Sequence, residues 1–134
     1  MKYILHPQQD NKLAVTVPCV SLELAIAALS TNTYKVVETL DINNDFFDAY
    51  EFNQDKGAVI NIKKAKEIKL NKFRQARKPL LEQLDIDYMR AVESSNTAKK
   101  KSIVDKKQEL RGITSIDLPD NVDELAEFWP DSLK

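Results

Sequence analysis

The stretch KFRQARKPLLEQLDIDYMRAVE, Lys72 to Glu93, decides how this chain is read. It is rich in helix formers, carries Pro79 mid-pattern and places Arg74 and Arg77 on neighbouring turns. Plotted at 100° per residue, Ile62, Ala65, Phe73, Ala76, Leu80 and Leu84 share one stripe, which predicts an amphipathic helix starting near Lys63. Lys66 and Lys69 intrude on that stripe, so its first turns are expected outside the core. Pro79 removes one backbone hydrogen bond and predicts a kink or a division. Asp85 then reads as the N-cap of a further helix with Met89 and Val92 facing inward. Leu80, Leu81 and Leu84 are expected to bury against a second helix and a sheet.

After the break at SSNT, AKKKSIVDKKQELRG predicts another helix, with Gly112 at its C′ position. Its apolar face (Ile103, Val104, Leu110) is thin, so it needs another helix or a second chain to pack on. The last segment offers a short helix over Val122 to Phe128, stopped by Pro130.

Upstream the period changes. KYILH and LAVTV, separated by the turn signal QQDNK, predict a β-hairpin. Ser21 is a plausible N-cap for a helix with Leu22, Ala25, Ile26 and Leu29 on one side. YKVVETL, FFDAYEF and AVINI read as strands, with DINND a loop and DKG a turn. This order implies one small antiparallel sheet with a helix across it. The expected fold class is α+β. A small antiparallel β-rich N-terminal domain with one helix (1–62) precedes a basic helical hairpin (63–112), then an acidic tail with a short terminal helix (113–134).

Composition narrows the function classes. Only two glycines, Gly57 and Gly112, leave no phosphate-cradling loop. The single cysteine, Cys19, forms no intrachain disulfide or metal pair and reads as a half-buried apolar residue. The single histidine, His6, has no evident nucleophile partner, and a small hydrolase would need one beside it. The acids of DINND lack the glycine and closing glutamate of a calcium loop. No catalytic, cofactor or metal residues are therefore assigned, and the chain is expected not to be an enzyme. The opening MKYILHPQQD has too short an apolar run for a signal peptide, so cytoplasmic synthesis is expected.

Charge is segregated although the net is −1. Residues 63–78 carry eight bases against Glu67 alone, a net of +7. Residues 79–98 return to −3, 99–111 rise to +4, and 112–134 fall to −5. Bases pointing all round a helix favour an acidic surface, in this chain or another, or plain solvation. Nucleic acid is disfavoured because no aromatics interleave with the bases. It stays the alternative, through the basic runs at 63–78 and 99–111. Lys69, Lys72, Arg74, Arg77 and Lys78 are the candidate partner-binding residues of the first helix. Arg74 and Arg77 equally suit intrachain pairs with Asp85, Asp87 or the tail. Phe128 and Trp129 form an aromatic tip that either caps the core or enters a partner's pocket.

The ordered set Arg74, Arg77, Leu80, Leu81, Asp85, then MRAVE, then KKQELRGI resembles small proteins of tailed bacteriophages, encoded among tail and tail-fibre genes. The hairpin is similar to the C-terminal part of tail-fibre assembly proteins, with Gln108, Leu110 and Arg111 in the place of their Gln-x-Leu-Arg signature. ILHP, LAVTVPC, YKVVE and FFDAYEF resemble the β-rich leader of one such family. The resemblance implies a non-enzymatic protein that binds other phage tail or tail-fibre proteins, as a virion component or an assembly factor. Arg111 joins the partner-binding set on this ground. The implied location is the virion tail, or the host cytoplasm during assembly. A homo-oligomer or ring is the implied form of a virion component, with no cofactor, membrane or small-molecule substrate.

Overall fold

The computed structural model describes residues 2–134. The fold is α+β: antiparallel strands fill the N-terminal part and helices the C-terminal part. The chain forms two compact units, one up to Ala65 and one from Lys66 to Lys134.

In the first unit, β1 (Tyr3–Pro7) pairs antiparallel with β2 (Leu13–Thr16), in register Leu5 to Val15. The expected turn is a short 3-10 segment, Gln9–Asn11, in which Asp10 and Asn11 take left-handed φ of 58° and 59°. Both are residue types that tolerate that region. α1 (Leu22–Ala27) starts where Ser21 was expected to cap it, its hydroxyl accepting from Leu24 N–H. β3 (Lys35–Val37) adds to the free edge of β1, giving the order β2-β1-β3.

The remaining strands do not join that sheet. β4 (Tyr50–Asn53) and β5 (Gly57–Ile60) form a separate two-stranded sheet, touching the first through the bridge of Lys12 with Glu51. Two sheets therefore replace the single one expected. The expected strand FFDAYEF is also divided. Asn44–Ala49 is a 3-10 segment, started by the Asn43 side chain accepting from Asp45 N–H. Phe46, Tyr50 and Phe52 are all buried, so the aromatic pattern marks the core while the backbone changes type beneath it. Gly57 closes the β4–β5 hairpin at φ 84°, where a Cβ would lie 2.7 Å from Leu5 Cδ1.

α2 runs unbroken from Ile62 to Glu93. Asn61 caps it, its side chain accepting from Lys64 N–H at 3.3 Å. Pro79 divides nothing, and Asp85 caps nothing. Pro79 and Gln75, whose carbonyl it leaves without a donor, are both exposed residues, a place where water can take up the lost bond. α2 ends with Ser95 in the left-handed region at φ 56°. Asn96 N–H donates to Ala91 O and Ser95 N–H to Val92 O, the paired bonds that usually place glycine at this position.

α3 (Thr97–Gly112) is capped by Asn96, whose side chain accepts from Lys99 N–H. Gly112 is no C′ residue: its φ of −77° is helical, and the chain continues into a 3-10 turn, Ile113–Ser115. α4 (Val122–Glu127) is capped by Asn121 and stops before Phe128, which is extended. The core of the second unit holds Phe73, Ala91, Ile103, Leu110, Ile113 and Leu125. Met89 and Val92, expected inward, are 61% and 45% exposed. Ala91 takes the inward place. Leu80, expected buried, is 42% exposed, and Leu81 and Leu84 are half-buried.

Candidate functional site: the basic hairpin and its tail

The helical unit is where most of the candidate residues meet. The chain after α3 returns along α2, and three successive turns of α2 receive it. Lys66 forms an ion pair with Asp120. One turn on, Lys69 Nζ donates to Ala126 O at 2.9 Å. On the next turn Phe73 meets Phe128 and Trp129, with ring centroids 6.2 and 5.3 Å away and tilted planes.

Lys69 is the unexpected member. It is 2% exposed, yet it was a candidate for contact with a partner and its turn was expected outside the core. Its ammonium lies 4.6 Å from the Trp129 ring centroid and 5.8 Å from that of Phe73. A lysine reaches such a place because its stem is apolar and only its head must be satisfied. Here a carbonyl and two aromatic faces meet that head. The aromatic tip thus caps the core, and Trp129 keeps 36% of its surface exposed.

The two arginines are also tied down. Arg74 Nη1 donates to Glu67 at 2.9 Å and to the Asn71 side chain, both on its own helix. Arg77 Nη1 lies 3.4 Å from the carbonyls of Leu110 and Arg111. Those carbonyls end α3, where the helix dipole attracts a cation. Both arginines find intrachain partners, but neither bonds to Asp85, Asp87 or the tail. Asp85 pairs instead with Lys107, which lies 5.2 Å from the Tyr88 ring centroid.

Arg74, Arg77 and Lys78 nevertheless line one hollow of about 320 Å³ with Leu81, Glu82 and Asp85. Lys78 and Arg111 are exposed, and Lys72 is half-buried. A second, more apolar groove of about 310 Å³ lies on the tail side, lined by Leu80, Leu84, Leu110 and Ser132 among others.

In the strand unit, His6 Nε2 lies 3.0 Å from Thr16 Oγ1, a contact between paired strands. Cys19 is exposed rather than half-buried. The Glu51 carboxyl is held below its ordinary range by the Asn61 amide first and by Lys64 second. Among the described residues, no cluster of His, Cys, Asp or Glu could hold a metal ion. No helix among them is long and apolar enough to cross a membrane.

No family model, curated protein or solved structure matches this chain.

Proposed function

We propose that this chain is a non-enzymatic, tail-associated bacteriophage protein that binds other tail or tail-fibre proteins through its helical unit. One observation carries the reading: Arg74, Arg77 and Lys78 stand together around Leu81 at the rim of an open hollow. Two of these cations are already oriented by bonds within the chain. Of the two acids on that rim, Asp85 is already engaged by Lys107. A pre-oriented guanidinium loses little further freedom when it takes a carboxylate, which suits an acidic protein surface with an apolar side chain seated on Leu81. The ordered motif from Arg74 to Arg111 supplies the bacteriophage part of the reading.

Quantitative mass spectrometry of purified particles tests it. A fixed copy number in the particle supports a virion component, and capture on free fibre protein in lysates supports an assembly factor. Absence from both contradicts the proposal. The double charge reversal Arg74→Glu, Lys78→Glu should abolish the association while leaving the circular dichroism spectrum unchanged.

A further inference from the structure

The tail covers only one face of the α2–α3 hairpin. Leu80, Leu84 and Leu110 lie on that side, along a groove that Ser132 helps to line. The Asp85–Lys107 pair marks the opposite face, because 100° spacing turns both residues away from the groove. On this uncovered face, or at its rim, lie three exposed apolar side chains: Met89 (61%), Val92 (45%) and Val104 (42%). The surrounding charge is asymmetric, with residues 79–93 of α2 at a net of −3 and residues 99–111 of α3 at +4.

We infer that this face binds a second copy of the same chain, as a two-fold four-helix bundle in which α2 of each copy lies on α3 of the other. Register and charge select that arrangement. Within one copy, Asp85 and Tyr88 are level with Lys107, and the long Arg77 side chain reaches up the hairpin to the carbonyls of Leu110 and Arg111 at the end of α3. Continuing that antiparallel register places Met89 level with Ile103 and Val104, Glu93 with Lys99 and Lys100, and Glu82 with Arg111.

A face-to-face pair of hairpins has two two-fold solutions. If the axis runs parallel to the helices, levels are conserved and α2 meets the second copy's α3. Met89 and Val92 then meet Val104 across the seam, Glu93 meets Lys100, and Glu82 meets Arg111. Apolar contact and charge agree. If the axis runs across the helices, α2 meets α2. Centring the pair on Met89 then sets Asp85 against Glu93 twice, and the α3 pair sets Lys100 against Lys107. Like charges oppose each other in both layers, which costs stability in proportion to their closeness. In the favoured arrangement α3 of the second copy ends near the level of Leu81, so the Arg74, Arg77 and Lys78 side of the hollow stays beyond the end of the seam. The inference does not depend on the bacteriophage reading.

Sedimentation equilibrium of the full chain, with reductant present because Cys19 is exposed, tests it. The expected result is a concentration-dependent monomer–dimer equilibrium. Val104→Asp and Met89→Lys, both at exposed positions, should shift it to monomer with unchanged circular dichroism. Glu93→Lys and Lys100→Glu should each weaken the dimer about tenfold, and together restore it to within about threefold of the parent. A monomer up to about 100 μM, where a weak but specific two-fold contact would already be populated, overturns the inference. So does a dimer that Val104→Asp leaves intact, or a double variant no better than the single ones.

Discussion

The two faces of the same hairpin use charge and apolar surface in opposite ways. On the tail side, the bases of α2 are taken up inside the chain: Lys66 by Asp120, Lys69 by a carbonyl and two rings. On the other side, Met89, Val92 and Val104 are left uncovered around the Asp85–Lys107 pair. The difference shows that a basic run at a net of +7 is no measure of what remains for a partner. The acidic tail at −5 is the first occupant of that run, and what it leaves lies towards Arg74, Arg77 and Lys78.

The contrast can be broken most forcefully at its buried cation. Lys69→Ala removes the donor to Ala126 O and opens a cavity between α2 and the tail. The expected loss is about 3 kcal/mol, read by urea unfolding, from a lost charged hydrogen bond and lost packing together. A loss under about 0.5 kcal/mol, the size of an ordinary surface substitution, would mean the tail is not latched there.

Trp129→Ala tests the same latch from the tail. It removes the ring beneath the ammonium and the contact with Phe73, for an expected loss of about 2 kcal/mol. The double variant Lys69→Ala, Trp129→Ala should lose less than the sum, since the two side chains share one interaction.

Pro79→Ala sharpens the comparison by acting on the helix that carries both faces. If α2 is continuous, restoring the missing backbone bond should stabilise the hairpin by about 1 kcal/mol or more. Loss of stability would instead point to a break that the proline serves.

The uncovered face should be the most tolerant. Val92→Ser in the monomer should change unfolding free energy by less than about 0.5 kcal/mol, as at other surface positions.

Outside the hairpin, Glu51→Gln gives a pH signature. The Glu51 pKa is lowered in the folded chain, so its contribution is present above the ordinary value of 4.5 and is lost as the pH falls through the folded value. The parent and the variant should therefore converge in acid and differ slightly at neutral pH.

Much of this fold could be read from local chemistry. Ser21 announces α1, alternation announces the β1–β2 hairpin, and the SSNT break separates α2 from α3. Local signals misled where a tertiary contact decides. Asp85 resembles a cap, but its carboxylate belongs to Lys107 on another helix. FFDAYEF alternates as a strand would, yet Asn43 bends its first half into a 3-10 turn. Lys69 is the residue least legible from its neighbours. Nothing near it in sequence reveals that Ala126 and Trp129, some sixty residues later, meet its ammonium. The one clue is its position on the apolar stripe between Ala65 and Phe73, both fully buried. A lysine there is either a defect in the stripe or the centre of a contact.

The most direct test of the two-faced hairpin is lysine labelling of the native full-length chain with an amine-reactive reagent, read by peptide mass spectrometry. The account predicts that Lys69 is protected while the exposed Lys78 and Lys101 label rapidly, and that Lys69 becomes reactive on unfolding. If Lys69 labels in the native chain as fast as Lys78, the tail does not hold that face, and the division between a latched side and an open side is wrong.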